Sequence, residues 1–273
     1  MAETGHLTRA PQATGPWFSA VTRLRIVILL TILVVWEAVA ASGILLREVV
    51  PSIVTIGRSL AELMLHPDLK VSVFAHEFWI PAFYWHLYVT VTEVATAMVI
   101  GGLAGLAVGL ALGANPFLAR AFERYLYYLG PTPKIVFFPV MIMWFGVGPE
   151  SKIAMGTLSC FFPVVLSAAA GMRQIEAVLI RVGRSFRLNT WQMVTKIYLP
   201  AMREPIVNGI RLGMGVAMIG TLLAETKLSN KGVGFMIIDA YNTFDMPRMY
   251  AVLLVLFVIA IGANTLVGRA SRG

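Results

Sequence analysis

Charged side chains are scarce in this 273-residue chain. Only 13% of the residues are Asp, Glu, Lys or Arg, against roughly 25% in a soluble globular protein. Apolar residues make up 58%, and they form long runs without a single charge at 94–114, 153–172 and 249–268. Each run has the roughly 20 residues that a helix needs to cross a bilayer. Because backbone groups in lipid must be satisfied within their own segment, the runs predict transmembrane helices and exclude a water-soluble fold.

Other scarcities exclude several kinds of site. The single cysteine, Cys160, lies inside an apolar run, which excludes an intrachain disulfide. All four histidines lie outside the predicted core spans, and His76 and His86 have no recognised metal-ligand spacing with the acids near them. A phosphate loop of the form Gly-x-x-x-x-Gly-Lys-Ser/Thr is absent, so the chain does not hydrolyse ATP by that route. We predict no catalytic residue, no cofactor and no metal.

The apolar runs predict an all-α polytopic bundle of about six spans, at 26–46, 89–113, 126–148, 152–172, 205–226 and 248–268. The net charge of +8 is explained by basic residues that gather on one side of these spans, so it does not require a nucleic-acid partner. Because Lys and Arg are enriched in cytoplasmic loops, both termini are predicted in the cytoplasm. This arrangement is typical of a bacterial inner-membrane protein.

The predicted regions are a cytoplasmic tail (1–25), a first span with an outer interfacial segment (26–88), a core transmembrane domain (89–268) and a short tail (269–273). The first span has a second interpretation, because Ala38-Val39-Ala40 after a basic and apolar stretch is typical of a signal-peptidase site. The apolar sequence continues to Leu46, which favours a retained span. Cleavage would leave five spans and the same cytoplasmic loops.

The outer segment between the first two spans has two halves. The first, at 51–64, predicts an amphipathic surface helix. The second, up to residue 88, is crowded with aromatic residues, which favour the membrane–water interface.

Glycine and proline mark two features of the spans. Gly101, Gly105, Gly109 and Gly113 recur at every fourth residue, so on a helix they form one stripe that another helix approaches closely. The partner is either a helix of the same subunit or one of a second subunit. In the third span, a Gly-Pro-Thr-Pro-Lys segment at 130–134 predicts a bend or a break, because proline lacks a backbone donor.

The largest cytoplasmic loop, 173–204, is basic and carries apolar residues at helical spacing. It ends in Leu199-Pro200. The pattern predicts a short helix across the cytoplasmic mouth of the bundle. Such a helix either rests on anionic lipid or docks a soluble partner.

Three blocks of sequence carry a family resemblance: PKI, WFGVG and SKI at 133–135, 144–148 and 151–153; GMR through IYLP at 171–200; and AE with GVG at 224–225 and 232–234. Their order and spacing resemble the permease subunits of binding-protein-dependent ABC importers, in particular the nitrate/sulfonate/taurine group. The resemblance covers residues 89–268 and implies the type I ABC importer permease fold. It also implies a cytoplasmic ABC ATPase, a periplasmic or lipid-anchored solute-binding protein and a second permease copy, most simply as a homodimer.

The resemblance makes 173–204 the loop that couples the permease to the ATPase. The residues it assigns to this role are Arg181, Val182, Gly183, Arg184, Phe186, Arg187, Trp191, Ile197, Leu199 and Pro200. The match is imperfect, because the family's Glu-Ala-Ala falls on 181–183 and its glycine falls on Arg187. These basic replacements suggest an ATPase with a more acidic groove. No residue chooses among nitrate, sulfonates, taurine and related solutes.

Acids within membrane spans are functional candidates because burying them in lipid is costly. We assign Glu37 a structural or interfacial role. Glu93 lies near the outer end of its span, where it reaches water or lines the pathway. Glu225 lies beside the outer mouth and is our first candidate for gating or for contact with the binding protein.

Two other function classes remain open. An ion-driven secondary transporter needs paired acids within the membrane and an inverted repeat, and neither is evident in the sequence. A non-transporting membrane scaffold has no sequence signature of its own. A partner ATPase would distinguish the importer from both.

Overall fold

The computed structural model describes residues 20–43, 49–73 and 76–270. Outside this part lie residues 1–19 of the predicted tail (1–25), residues 44–48 at the end of the first span, residues 74–75 of the outer segment and residues 271–273. The main helices are α1 (Ala20–Ser42), α2 (Ile53–Leu65), α3 (Ala82–Ala114), α4 (Pro116–Leu129), α5 (Phe138–Phe145), α6 (Pro149–Arg173), α7 (Ala177–Ser185), α8 (Thr190–Met193), α9 (Leu199–Ala201), α10 (Arg203–Leu228), α11 (Val233–Asn242) and α12 (Met246–Ala270).

The membrane spans agree with the predicted bundle. Among the described residues, five helices are long and apolar enough to cross a membrane, namely α1, α3, α6, α10 and α12. A bent pair, Pro116–Leu129 with Lys134–Phe145, brings the number to six. The prediction of an all-α polytopic fold is confirmed. In lipid, a run of about 20 apolar residues satisfies its own backbone hydrogen bonds by forming a helix.

The chain divides into two compact units, Met1–Thr55 and Ile56–Gly273. In the first unit, the indole of Trp36 donates to the carbonyl of Pro51 at 3.1 Å. The carboxylate of Glu37 accepts from the backbone N–H of Ile53 at 3.0 Å. The backbone N–H groups in the first turn of a helix have no partner within the helix itself, and the helix dipole favours a negative charge there. Glu37 therefore caps a helix.

A two-stranded antiparallel hairpin follows α2, from β1 (Leu69–Val73) to β2 (His76–Ile80). Leu69 lies opposite Ile80, and Val73 lies opposite His76. The sequence predicts aromatic interfacial structure for this segment, and strands were not predicted there. β-branched and aromatic residues fit a pleated ribbon, so this segment pairs with itself and adds a small hairpin to the helical fold.

The core consists of α6 packed between α3 and α10. The glycine stripe of α3 faces α6: a Cβ added to Gly105 would lie 2.9 Å from the carbonyl oxygen of Phe161, and one added to Gly113 would overlap Met172. The α10 side also approaches through glycine, since a Cβ on Gly213 would lie 2.9 Å from the Sγ of Cys160. The stripe thus packs within the chain.

The third span is bent by 96°, as its prolines predicted. The Oγ1 of Thr132 donates to the carbonyl of Tyr128 at 3.0 Å. The ammonium of Lys134 donates to the carbonyls of Leu129, at 3.1 Å, and of Gly130. These carbonyls end α4 and have no helical partner beyond the break, so the Pro-Thr-Pro-Lys sequence both breaks the helix and caps it.

Candidate functional site

The loop between α6 and α10 folds into two short helices that contact each other. After α7, α8 continues through a π-helical segment, Val194–Tyr198, into α9. Gly183 of α7 is buried, and a Cβ placed on it would contact the sulfur of Met193 at 2.5 Å and the Cγ1 of Ile197 at 3.4 Å. The two helices therefore approach closely at position 183, the third position of the aligned Glu-Ala-Ala, and a larger residue there would displace the end of the Met193 side chain.

Arg187 reverses the chain at the end of α7. Its φ is +51°, in the left-handed region that favours glycine. The N–H of Leu188 donates to the carbonyl of Gly183 at 3.1 Å, and the N–H of Arg187 donates to that of Arg184 at 2.9 Å. This pair of bonds is a Schellman motif, whose usual residue is glycine. Arg187 stands where the family's glycine aligns, and it adopts the conformation that glycine would.

The second helix of the loop begins and ends at identifiable signals. Asn189 and Gln192 form a capping box, with bonds of 2.8 and 3.0 Å between each side chain and the other's backbone N–H. Near the end, the N–H of Leu199 bonds the carbonyl of Val194. This bond joins residues five apart and not four, so the helix is wider here than an α-helix. The wider turn lies just before Pro200, which has no N–H to donate.

The outer face of the loop combines aromatic and basic groups. Phe186 and Trp191 are 76% and 73% exposed. Arg181, Arg184 and Arg187 are exposed beside them. The remaining predicted loop residues divide between exposed positions (Val182, Pro200) and half-buried ones (Ile197, Leu199). Large exposed apolar side chains ringed by charge are typical of an interaction surface.

A second cluster of polar residues is buried near the start of α3 and the end of α10, away from the loop 173–204. Glu225 of α10 is fully buried, and its Oε1 accepts from the hydroxyl of Thr90 at 2.7 Å. Its Oε2 accepts from the N–H of Gly234 at 2.6 Å, while the N–H of Val233 donates to Thr90 at 2.8 Å. The carboxyl group thus caps the N-terminus of α11, where backbone donors and the helix dipole favour an anion.

Gly232 makes this cap possible. Its φ is +99°, and a Cβ on it would overlap the carboxyl group of Glu225. Its N–H donates to the Nδ1 of His86 at 3.0 Å. Because Glu225 is fully enclosed by these contacts, it presents no surface to a soluble partner. Glu225 thus helps to hold α11 to α3 and α10, and its role in gating or in contact with the binding protein stays a prediction.

Glu93 differs from its expected placement near water. It is only 4% exposed, and its carboxyl group lies beside that of Glu225. Within the described part of the chain, its Oε2 has no hydrogen-bond partner. No paired acids are evident along the sequence, yet the fold places these two side by side on different helices.

A cleft of about 340 Å³ opens beside Glu93. It is lined by one face of α3, the start of α6 and residues 229–231 after α10. Lys152 lies in its wall, is 4% exposed and donates to the carbonyls of Val147 at 2.7 Å and Gly148 at 3.1 Å. These bonds explain the WFGVG and SKI blocks, because the lysine caps the turn that joins α5 to α6.

Sequence reasoning missed Thr90 and the buried role of Lys152. Thr90 lies 135 positions from its partner Glu225, and a threonine in an apolar helix carries no local signal. Lys152 is the first residue of the predicted span 152–172. The available signal was its position five and four residues after Val147 and Gly148, whose carbonyl groups precede a helix.

Comparison with known proteins matches residues 97–272 to the family model described as "Binding-protein-dependent transport system inner membrane component". A Bacillus subtilis protein assigned to aliphatic sulfonate transport as a permease is 29% identical over 228 residues, 84% of this chain and 78% of its own. The taurine transport system permease protein of Escherichia coli is 31% identical over 175 residues, 64% of each chain. A chain of the MetNI methionine ABC transporter in an inward-facing conformation has the same fold, with a TM-score of 0.61 at 18% identity over 68% of this chain and 92% of that one.

Proposed function

This chain belongs to the family of binding-protein-dependent transport system inner membrane components, and we propose that it is the membrane-spanning subunit of an ATP-driven importer for a small solute. A cytoplasmic ATPase supplies the energy in trans, because the chain has no phosphate loop. A binding protein delivers the solute from outside. The permease then alternates between outward- and inward-facing arrangements by rigid-body switching.

The observation that carries this proposal is the loop 173–204. Gly183 and Met193 pack where its two short helices meet, while Phe186, Trp191 and three arginines are exposed. An exposed surface of this composition suits a protein partner, since aromatic residues and Arg dominate the energy of protein interfaces. The loop connects directly to α6 and α10, so a movement of the partner reaches the core helices.

The assembly follows from the same reasoning. Two copies of the permease, as a homodimer in the bacterial inner membrane, would each dock one ATPase subunit. Both termini would lie in the cytoplasm, in keeping with the basic residues of the loop 173–204. The solute is a small anion or a related compound, since relatives of this chain are permeases for sulfonates and taurine.

Co-purification tests the docking role. Tagged wild-type protein extracted from native membranes should bring down an ATPase with a phosphate loop. The double variant Arg181→Glu/Arg187→Glu should retain less than about a tenth of it, because the reversed charges would face the acidic groove expected of the ATPase and like charges in contact are costly. The matched control is Arg120→Glu/Arg124→Glu, which reverses two exposed arginines of α4 outside the loop. Equal ATPase recovery from both variants would remove the docking role of the loop.

The paired acids Glu93 and Glu225 favour a second candidate, a transporter driven by an ion gradient. Reconstituted vesicles separate the two. Solute uptake that needs the ATPase and ATP supports the importer. Uptake by the permease alone, driven by an imposed proton or sodium gradient, supports the second candidate.

A further inference from the structure

A positively charged side chain lies inside the membrane span that α10 forms. Arg211 is about 12 Å along the helix axis from the first residue of α10, Arg203. It belongs neither to the loop 173–204 nor to the buried cluster around Glu225. Because a charge within a span is costly, such a residue is a functional candidate in its own right.

The guanidinium group of Arg211 lies against the inner end of α12. Gly268 of α12 is buried, and a Cβ placed on it would overlap a terminal nitrogen of Arg211 and lie 3.2 Å from its Cζ. Gly268 is followed by Arg269, the last residue of that span. Long basic side chains extend toward the membrane surface in this way. The charge of Arg211 therefore lies at the level of the lipid headgroups.

This guanidinium group has hydrogen-bonding capacity to spare. Its Nε is enclosed and has no hydrogen-bond partner within residues 20–43, 49–73 and 76–270. No carboxylate of these residues forms an ion pair with it. A buried donor without an acceptor is costly. The oxygen atoms of a phosphate group match the planar fork of donors that arginine presents.

Two exposed amides lie on the same helix faces as this contact. Asn208 is three positions before Arg211 on α10, and Asn264 is four positions before Gly268 on α12, so each pair shares one face of its helix. The exposed Arg269 adds a second positive charge. We call the group of Asn208, Arg211, Asn264 and Arg269 the inner notch.

The apolar surface beside the inner notch favours a phosphate that carries acyl chains over a free phosphate. Leu254, Val258 and Ile261 of α12 are 49%, 68% and 66% exposed. Their spacing of four and three residues places them on one face, and Asn264 continues that face three positions after Ile261. An apolar stripe therefore leads from the bilayer interior to the polar notch.

We propose that the inner notch binds the headgroup of an anionic phospholipid in the cytoplasmic leaflet. Basic pockets between membrane helices on the cytoplasmic side are suited to such headgroups. Arg211 and Arg269 meet the phosphate, the two asparagine amides donate to headgroup oxygens, and an acyl chain lies along the stripe on α12. The lipid thereby joins α10 to α12 at the end where the loop 173–204 enters the core. The leaflet follows from the proposed orientation, whereas the site depends on neither the solute nor the ATPase.

Lipid binding to the full-length chain tests the proposal directly. The purified protein in a neutral detergent is titrated with dioleoyl-phosphatidylglycerol or with zwitterionic dioleoyl-phosphatidylcholine, and native mass spectrometry counts the bound lipids. We expect phosphatidylglycerol to bind at least fivefold more tightly, which is about the effect of one basic group near an anionic surface. Arg211→Gln should remove this preference. The matched control, Arg124→Gln, removes an exposed arginine of α4 and should keep it.

Two further variants decide the question if Arg211→Gln does not fold. Asn264→Ala changes an exposed residue, and Gly268→Ala displaces the guanidinium group while keeping its charge. Both should weaken phosphatidylglycerol at least twofold. An unchanged preference in Arg211→Gln, or in both of these variants, overturns the proposal.

The wild type provides two more ways to contradict the lipid site. Equal binding of the two lipids would mean that the notch does not recognise an anionic headgroup. Displacement of phosphatidylglycerol by millimolar inorganic phosphate would mean that the notch holds free phosphate, and the acyl chain would have no role. We expect inorganic phosphate to leave the bound lipid in place.

Discussion

Arg187 occupies a backbone conformation that costs an L-residue free energy. A left-handed conformation costs roughly 1–2 kcal/mol for a residue with a Cβ, and Arg187 has a φ of +51°. The Schellman hydrogen bonds to Gly183 and Arg184 hold it there. The exposed guanidinium is a reason to retain arginine, since it belongs to the proposed docking surface.

Arg187→Gly should therefore stabilise the loop while weakening the ATPase contact. We expect the free energy of unfolding to rise by about 1 kcal/mol, because glycine adopts this φ without strain. The measurement is the thermal unfolding midpoint in detergent, together with the rate of tryptic cleavage after Arg184. Arg187→Lys is the control, because it keeps both the charge and the strain. A lower midpoint for the glycine variant would contradict the left-handed turn.

At the scale of elements, the α3–α6 contact depends on the absence of side chains. A Cβ on Gly109 would lie 2.5 Å from the Cβ of Ala168 and 2.8 Å from the carbonyl oxygen of Val165. A backbone atom cannot rotate away, so the helices themselves would have to separate. Gly102, on the same helix, has open space where its Cβ would be.

Gly109→Val should destabilise the bundle by about 1–3 kcal/mol, the usual cost of overpacking a core. Gly102→Val should cost less than about 1 kcal/mol, although both variants place the same β-branched residue in the same helix. Thermal unfolding of the two purified proteins gives the comparison. Equal losses would show that helix propensity, rather than the close approach of α3 to α6, sets the cost.

The elements that sequence predicted are those with local causes. The spans follow from uninterrupted apolar runs, and the bend in the third span follows from Pro131 and Pro133. The helix at 53–65 was expected from its amphipathic pattern. The hairpin was not, since its two five-residue strands show no pattern distinct from an aromatic interfacial segment.

The candidate site was less predictable because its contacts are long-range. Glu225 was singled out as a membrane acid, but its partner Thr90 is 135 residues away, and its neighbour Glu93 is on the same distant helix. Spacing along one helix carries no information on which face of another helix it will meet. For that reason the burial of both acids, and with it the role of Glu225 as a cap for α11, emerged only from the fold.

For the molecule as a whole, the loop 173–204 and the cleft beside Glu93 lie at opposite ends of the packed helices α3, α6 and α10. Helix α6 lines the cleft with Lys152 in its first turn and ends at Arg173, which forms an ion pair of 2.8 Å with Glu123 of α4. Helix α10 begins where the loop ends and reaches Glu225. Glycine contacts bind α3, α6 and α10 tightly together. A displacement of the loop would therefore move the walls of the cleft with it.

This arrangement requires the loop and the cleft to face opposite sides of the membrane, which cysteine labelling can measure. The native Cys160 is 1% exposed, so the wild type should not react with a membrane-impermeant maleimide and serves as the control. Phe186→Cys replaces a side chain that is 76% exposed in the loop, and Tyr241→Cys replaces one that is 55% exposed at the end of α11. In right-side-out vesicles only Tyr241→Cys should be labelled, and in inverted vesicles only Phe186→Cys, because basic loops stay in the cytoplasm.

Labelling of both variants in the same vesicles would mean that the loop and α11 share one side of the membrane. Coupling of a cytoplasmic ATPase to an outer cleft through α6 and α10 would then no longer be possible.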